Sequence, residues 1–187
     1  MQMADDKCVV LGADFAGFPL KEVVKEHLVE RGWEVSDLTP TMEDVDMYHR
    51  VGFAIGSQIS EGYFEKALAF CGTGMGIHVA ASKCPHVHSA VCETLPSALR
   101  AATANNCNLM AMGAFWTGPK LAMAMADAFL EHKLGDGYEH WDGFLEYHKI
   151  GYEECEQFDY QAYKANGFVV PNKRDTPLGS QPVGLAY

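Results

Sequence analysis

Short apolar runs alternate along the chain with longer stretches in which apolar residues recur at helical spacing. The apolar runs are typical of buried strands and cover residues 8–14, 33–38, 66–71, 88–92 and 109–113. The helical stretches cover residues 18–31, 46–60, 97–104 and 119–133, and a further helix is predicted at 77–81. Because strands and helices alternate through short connections, the pattern predicts an α/β fold, a parallel sheet with helices on both faces.

The character of the chain changes after residue 135. Residues 134–160 are rich in acidic and aromatic side chains, and some of them share one helical stripe. The stripe contains Trp141, Phe144, Leu145, His148, Tyr152 and Cys155. It predicts a helix packed on the domain or on a partner subunit. Residues 161–187, with several prolines and glycines, predict an extended arm that either embraces a neighbouring subunit or is disordered. We therefore divide the chain into an α/β domain, residues 1–135, and a C-terminal extension, residues 136–187.

Composition and charge narrow the classes of partner. The chain has 187 residues, with 14 basic and 25 acidic side chains and a net charge of −11. Nucleic-acid binding is not expected, because it requires a basic surface. No apolar run reaches the roughly 20 residues of a membrane span. Residues 1–6 lack the apolar core of a signal peptide, so we expect a cytoplasmic protein without membrane contact.

Cysteines and histidines form no recognisable metal motif. None of the six cysteines belongs to a C-x-x-C pair, which argues against a zinc ribbon or a thioredoxin-like site. The histidines that invite a metal interpretation, but fit no metalloenzyme spacing, are His49, His78, His86 and His88. We therefore expect a site without a metal ion.

The predicted strand that ends at Cys71 runs into a glycine-rich turn, Cys-Gly-Thr-Gly-Met-Gly over residues 71–76. Between a strand and a helix, such a turn directs several backbone N–H groups at one place, where the helix dipole adds partial positive charge. It predicts a site for an anion, either bound or formed during a reaction, with the Cys71 thiol as a candidate base or nucleophile. We assign Asp14, Glu93 and Asn105 to carboxyl ends of strands as well, and expect these side chains to converge with Cys71.

Two interpretations of the glycine-rich turn are open from its spacing. In the first, Gly72 and Gly74 begin a dinucleotide-binding fingerprint and Glu93 is its ribose-binding acid. Ile77, however, stands where the third glycine of that fingerprint belongs. In the second, the turn stabilises the oxyanion of an enediolate during aldose–ketose isomerisation, and Cys71 transfers the proton. From spacing alone, Cys71 is equally consistent with a core cysteine at a strand end.

Several segments between about residues 8 and 135 together carry a resemblance to a known family. They are residues 12–18, 20–21, 45–46, 71–76, 80–83, 97–98, 105–108 and 113–114. In these segments the chain resembles the ribose-5-phosphate isomerase type B family, which also contains the galactose-6-phosphate isomerase subunits. The resemblance implies a Rossmann-like, three-layer α/β/α sandwich with a five-stranded parallel sheet. It also implies a homodimer or dimer of dimers with active sites at the interface, a sugar or sugar phosphate as substrate, and no cofactor.

The same resemblance assigns roles to particular residues. Cys71 resembles the proton-transferring base, and Thr73 a hydroxyl beside the substrate. The residues assigned to substrate binding are Asp14, Gly72, Gly74, Gly76 and Asn105. In this assignment the glycines form the anion hole, the carboxylate binds substrate hydroxyls and the amide side chain makes a further polar contact.

Several positions depart from the family's usual pattern. Phe15 and Ala104 stand where the family usually has histidines, and Phe115 stands where it usually has arginine. These replacements keep the base and the anion hole but remove groups for ring opening and phosphate binding. We therefore expect isomerase chemistry on an altered substrate: a short open-chain sugar, an unphosphorylated sugar, or one whose phosphate the C-terminal extension holds. The alternative is a non-catalytic sugar-binding or partner subunit on the same scaffold.

Overall fold

The computed structural model describes residues 7–171. Its strands are β1 (Cys8–Ala13), β2 (Glu34–Asp37), β3 (Ala67–Cys71), β4 (Ser89–Val91) and β5 (Leu109–Gly113). They form one five-stranded sheet in the order β2-β1-β3-β5-β4, and every neighbouring pair is parallel. The central strand, β3, is buried along its whole length. The strand that ends at the candidate base is therefore covered on both faces.

Helices cover both faces of this sheet. Within the described residues they are α1 (Phe18–Glu30), α2 (Tyr48–Ser60), α3 (Met75–Ala81), α4 (Leu95–Thr103), α5 (Pro119–Leu130), α6 (Phe144–Glu156) and α7 (Tyr160–Ala165). Helices α1, α4 and α5 pack on one face of the sheet, and α2 and α3 pack on the other. None of these helices is long and apolar enough to cross a membrane. The predicted three-layer α/β/α sandwich is confirmed.

Side chains of β3 alternate between the two layers, as the two-residue period of a strand requires. Leu68 and Phe70 enter the core under α1 and α5. Ala67, Ala69 and Cys71 enter the core under α2 and α3. The second face of the strand therefore carries the smaller side chains, and the candidate base belongs to that face.

Helices α2 and α3 approach each other closely at two glycines. Gly52 and Gly56 lie one helical turn apart on α2, facing α3. A Cβ added to Gly52 would lie 2.7 Å from the Cβ of Ala80 and 2.8 Å from the carbonyl oxygen of Ile77. A Cβ on Gly56 would lie 3.0 Å from the carbonyl oxygen of Ala81. No side chain fits between the two helices at these positions, so α3 is fixed against α2.

Some helix ends differ from the predicted ones. Helix α2 begins at Tyr48 rather than at residue 46, and α5 ends at Leu130 rather than at residue 133. At the end of α5, the Nζ of Lys66 donates to the carbonyl oxygens of Phe129 (2.7 Å) and His132 (2.6 Å). The amine supplies donors for carbonyl groups that have no partner inside the helix.

Helix α6 agrees with the predicted helix in the C-terminal extension, but its buried face differs from the predicted stripe. Phe144 is buried and stacks on the ring of Tyr138 at a centroid distance of 3.8 Å. Ile150 is buried too, whereas Leu145 and Cys155 are exposed. The buried positions, at the start and in the middle of the helix, therefore do not follow the predicted stripe.

The last turn of α6 is attached to the domain by a shared carboxylate. Glu156 pairs with Nδ1 of His86 at 2.6 Å and with Nε2 of His88. The ring of Tyr152 packs on His88 at a centroid distance of 4.6 Å. These contacts join α6 to the segment that precedes β4, at the amino edge of the sheet.

The extended arm predicted from residue 161 begins instead as a helix. In α7, the Oδ1 of Asp159 accepts hydrogen bonds from the N–H groups of Gln161 (2.7 Å) and Ala162 (3.0 Å). This N-terminal cap favours a helical turn over an extended chain. The rest of the predicted arm, residues 172–187, lies outside the described residues.

Candidate active site

The parallel register places Asp14 and Cys71 side by side at the carboxyl edge of the sheet. Ala13 of β1 is aligned with Phe70 of β3, and the N–H of Asp14 donates to the carbonyl oxygen of Phe70 at 3.1 Å. On the other side of β3, Cys71 is aligned with Gly113 of β5. The predicted convergence is therefore confirmed for Asp14 and Cys71, at the edge where parallel sheets usually bind ligands.

The thiol of Cys71 lies within the glycine-rich turn. Its side chain is only 4% exposed, and Sγ accepts a hydrogen bond from the backbone N–H of Gly74 at 3.0 Å. Gly74 has a φ of +75°, in the left-handed region that favours glycine. The turn thus folds back over the sulfur atom and fixes its position.

Thr73 lies in the same turn and is half-buried. Its Oγ1 accepts a hydrogen bond from the N–H of Met75 at 3.2 Å. Two amides of the turn, those of Gly74 and Met75, therefore have side-chain partners inside the turn. Thr73 and Cys71 thus share one compact loop, and the role of Thr73 beside a substrate stays a prediction.

Asp14 is buried, and one of its carboxylate oxygens shapes its own loop. Oδ1 accepts hydrogen bonds from the N–H groups of Ala16 (3.0 Å) and Gly17 (2.9 Å). Within residues 7–171 the other oxygen, Oδ2, has no hydrogen-bond partner, which leaves it available to a ligand hydroxyl. Burial raises the pKa of Asp14, although the hydrogen bonds from Gly17 and Ala16 act in the opposite direction.

A fully buried lysine supports the loop beside Asp14. The Nζ of Lys21 donates to Oδ2 of Asp37 and to the carbonyl oxygen of Thr39, both at 2.6 Å. The Oγ1 of Thr39 in turn accepts the N–H of Ala13 at 3.0 Å, one residue before Asp14. Lys21 is thus a positioning residue for the end of β1.

At two glycines of the turn, an aromatic ring from another part of the chain occupies the space that a side chain would need. A Cβ on Gly72 would lie 2.5 Å from the ring of Phe115, and a Cβ on Gly76 would lie 2.7 Å from the ring of Tyr48. Gly113, beside the turn, has Trp116 and the backbone of Thr73 in the corresponding space.

Sequence reasoning missed Tyr48 and Trp116. In the sequence, each is recognisable only as an aromatic residue near the end of a strand or helix. Many loops without a functional role contain such a residue. The importance of Tyr48 and Trp116 comes from where the tertiary fold places them, against glycines of other elements.

Asn105 lies at the opposite edge of the sheet from Cys71. It follows α4 and precedes β5, so it belongs to the amino ends of the strands. The expectation that Asn105 converges with Asp14 and Cys71 within one chain is wrong, because it follows a helix and not a strand. Asn105 instead helps to line a cavity of about 540 Å³ against α6.

The cavity at Asn105 contains mixed polar and aromatic side chains. Its lining includes His88, Ala104, Tyr147, His148 and Tyr152. Burial lowers the pKa of His148, and the positive charge of Arg100 lowers it further. At neutral pH, His148 therefore presents an uncharged imidazole to this cavity.

The remaining candidates lie apart from the thiol. Glu93 follows β4 and shares the carboxyl edge, but β5 separates its strand from β3. Nδ1 of His78 is engaged with Oγ of Ser89 at 2.8 Å. Within residues 7–171, no three His, Cys, Asp or Glu side chains are placed to hold a metal ion. That the reaction needs no metal stays a prediction.

The fold and this edge define an α/β enzyme that binds small molecules at the carboxyl ends of a parallel sheet. The family model described as Ribose/Galactose Isomerase matches residues 9–142, and the chain belongs to this family. This confirms the resemblance found in the sequence and favours the isomerase interpretation of the turn over the dinucleotide-binding one. The predicted enzyme class, an isomerase that interconverts aldoses and ketoses, is confirmed as well.

Relatives within the family act on different small sugars. A 4-deoxy-4-sulfo-D-erythrose isomerase from Clostridium sp. (strain MSTE9) is 34% identical over 134 residues, which cover 71% of this chain and 84% of that protein. Ribose-5-phosphate isomerase B of Escherichia coli (strain K12) is 33% identical, with coverage of 66% and 83%. The solved structure of Clostridium thermocellum ribose-5-phosphate isomerase B has a TM-score of 0.70 at 28% identity, and the match covers 80% of this chain and 95% of that chain.

Proposed function

We propose that the protein interconverts an aldose and the corresponding ketose through an enediolate, with Cys71 as the base and without a cofactor or metal ion. The position of the Cys71 sulfur carries this proposal. It lies inside a glycine-rich turn at the end of the central strand, with the Asp14 carboxylate on the neighbouring strand.

The chemistry needs only proton transfers. Cys71 takes the proton from C2 of an open-chain aldose, and the electrons of that bond form the C1–C2 double bond while the carbonyl oxygen becomes an oxyanion. The proton returns to C1, and the hydroxyl proton of C2 moves to the former carbonyl oxygen. The carbonyl group is then at C2, and the reaction needs no oxidant or reductant. The proton held by Cys71 can exchange with solvent before it returns to the sugar.

The turn and Asp14 supply the other groups. Because the Gly74 amide donates to the Cys71 sulfur, we assign it to positioning the base and assign the oxyanion to the other amides of the turn, including those of Gly72 and Gly76. The Thr73 hydroxyl lies beside the reacting carbons in this scheme. The Oδ2 of Asp14 accepts a hydrogen bond from a substrate hydroxyl.

We propose a homodimer or dimer of dimers as the active unit. Its support is the position of Asn105 at the opposite edge of the sheet, from which its side chain serves the site of a second copy rather than that of its own chain. Residues 1–135 are the catalytic domain in this proposal, and residues 136–187 are an extension whose helix α6 is attached through Glu156. We place the protein in the cytoplasm.

Exchange of the α-proton with solvent deuterium tests the chemistry directly. The protein is incubated in deuterated water with aldoses and ketoses of four to six carbons, with and without a terminal phosphate, and followed by NMR. Exchange with at least one sugar is expected from the wild type and from Cys84→Ala, and loss of exchange is expected from Cys71→Ala. Exchange that survives in Cys71→Ala would exclude this base, and silence across the whole panel would favour the non-catalytic sugar-binding subunit.

A further inference from the structure

Two phenylalanines lie in the loops that follow the two strands next to that of the candidate base. Phe15 follows β1 and Phe115 follows β5, and these strands lie on either side of β3. Their side chains are 71% and 70% exposed. Burial of apolar surface is favourable, so a ligand that covers these rings gains from the contact.

The position of Phe115 relative to the turn is fixed by its backbone. Its N–H donates to the carbonyl oxygen of Gly72 at 3.0 Å, and its ring occupies the space that a Gly72 side chain would need. Gly72 is the residue next to Cys71. The ring is therefore part of the wall that a substrate meets beside the sulfur atom.

The polar groups of this site are held by backbone amides rather than by cations. Within residues 7–171, the hydrogen bonds to the side chains of Asp14, Cys71 and Thr73 all come from backbone N–H groups. The ammonium group of Lys21 is fully buried, and its partners are the carboxylates of Glu22 and Asp37 and the carbonyl oxygen of Thr39.

A phosphate dianion at this wall would meet the phenyl rings and the Asp14 carboxylate, and within residues 7–171 of the same chain no arginine or lysine, the usual partners of bound phosphate, forms a hydrogen bond with Asp14, Cys71 or Thr73. The chain's net charge of −11 adds to this unfavourable environment. A neutral sugar chain is better suited, because its C–H groups contact the rings while its hydroxyls reach Asp14 and Thr73.

We propose that Phe15 and Phe115 are specificity-determining residues that select open-chain sugars carrying no phosphate on the end that contacts them. This inference rests on the proposed isomerase function and names its substrate class. The two rings act by shape and by the absence of charge, and neither takes part in proton transfer.

Binding of non-reacting analogues tests the selection independently of catalysis. The probes are D-erythronohydroxamate and D-ribonohydroxamate, which resemble the enediolate, each with and without a terminal phosphate, titrated by calorimetry into the full chain. For the wild type we expect the unphosphorylated member of a pair to bind at least about tenfold more tightly. We expect Phe115→Arg and, independently, Phe15→Arg to shift the ratio of the two dissociation constants at least about thirtyfold towards the phosphorylated member.

Two controls separate a local effect from general charge and from folding. Phe115→Leu keeps an apolar wall and should retain the wild-type ratio. Val29→Arg adds the same charge at an exposed position on α1 and should change the ratio by less than about threefold. Circular dichroism and size-exclusion chromatography verify that each variant keeps its fold and oligomeric state.

Several results would overturn the proposal. They are tighter binding of the phosphorylated analogues by the wild type, binding of no analogue at all, or an unchanged ratio in both arginine variants. An unchanged ratio with an altered oligomeric state would assign the rings to a subunit interface instead. Proton exchange decides the isomerase function separately, since exchange that favours phosphorylated sugars would keep that function and remove only the selection by Phe15 and Phe115.

Discussion

Gly74 donates its backbone N–H to the sulfur of Cys71 across 3.0 Å, so the turn closes on the thiol that begins it. The φ of +75° at Gly74 makes this possible, because a residue with a side chain adopts that conformation at a cost of roughly 1 kcal/mol. A Cβ at this position would also lie 3.1 Å from the backbone nitrogen of Gly113. The orientation of the candidate base therefore depends on this glycine.

Gly74→Ala is expected to reduce α-proton exchange about a hundredfold, because misplaced reacting groups lose rate steeply. The expected loss of unfolding free energy is only about 1–2 kcal/mol. The matched control is Gly62→Ala, where φ is +71° and the space around the new Cβ is open. It should lose comparable stability and keep its exchange rate. Full exchange by Gly74→Ala would show that the hydrogen bond to sulfur is dispensable.

Asp37→Asn should destabilise the protein by about 3 kcal/mol, since it removes the more buried of the two carboxylates, Asp37 and Glu22, that pair with the fully buried ammonium group of Lys21. Urea unfolding at pH 7 measures this loss. An exposed substitution such as Asp142→Asn should stay within about 0.5 kcal/mol of the wild type. If both variants were equally stable, the Lys21–Asp37 pair would contribute nothing to the fold.

The Lys21–Asp37 pair also predicts that the free energy of unfolding decreases at acid pH. Burial acts to raise the pKa of Asp37, but hydrogen bonds from Lys21 and Lys25 outweigh it, and the pKa lies below its ordinary value of 3.8. The folded state therefore binds its proton less tightly than the unfolded state. The stabilisation is fully present above pH 3.8 and is lost as the pH falls through the lower folded-state pKa. When the pH falls from about 5 to about 3, urea unfolding should show a smaller decrease in the free energy of unfolding for Asp37→Asn than for the wild type.

Lys66 predicts a further rise of stability with pH, at alkaline pH. Burial lowers the pKa of this amine from 10.5 to about 8. Between these values the unfolded chain holds a proton that the folded chain has released, so the contribution of Lys66 to stability rises with pH. The stability difference between the wild type and Lys66→Met should therefore grow in favour of the wild type from pH 8 to 10.5. The exposed Lys120→Met is the control, and a constant difference for Lys66→Met would contradict the expectation.

Glu156→Gln should loosen α6, because Gln lacks the charge that pairs with His86 and His88. Hydrogen–deuterium exchange of the amides in residues 144–156 is expected to accelerate about tenfold for each 1.4 kcal/mol that is lost. Glu146→Gln, at an exposed position in the first turn of α6, should leave the exchange unchanged. Equal protection in both variants would mean that packing of Phe144 and Ile150 holds the helix without the carboxylate.

The strands β1, β3 and β5 were predictable because each is a short apolar run buried on both faces of a parallel sheet, whereas the edge strands β2 and β4 are only partly buried. The helix ends were harder to predict from the sequence. At the end of α5, for example, the hydrogen-bond donor to the last carbonyl groups is Lys66, which is distant from that helix in the sequence. Helix α7 was missed because the cap formed by Asp159 is a local hydrogen-bond pattern, whereas the overall composition of the segment favours an extended chain.

The rule that the carboxyl ends of parallel strands share one edge of the sheet was sufficient to predict that Asp14 lies beside Cys71, because both residues lie at the ends of neighbouring strands. It failed for Asn105, which follows a helix and lies at the other edge. The contacts of Tyr48 with Gly76 and of Trp116 with Gly113 join residues from different elements. Only the packing of the whole domain determines such contacts, so no local pattern in the sequence predicts them.

The glycines Gly52 and Gly56 on α2 have a consequence for the reaction. Because α3 is fixed against them with no space for a side chain, the turn that precedes α3 is rigid on one side before any substrate arrives. The sulfur atom and the surrounding amides are therefore preorganised, and little conformational entropy is left for them to lose when a sugar binds. The entropy of ordering these groups is lost during folding, and adaptation to different sugars is left to the exposed rings at the rim.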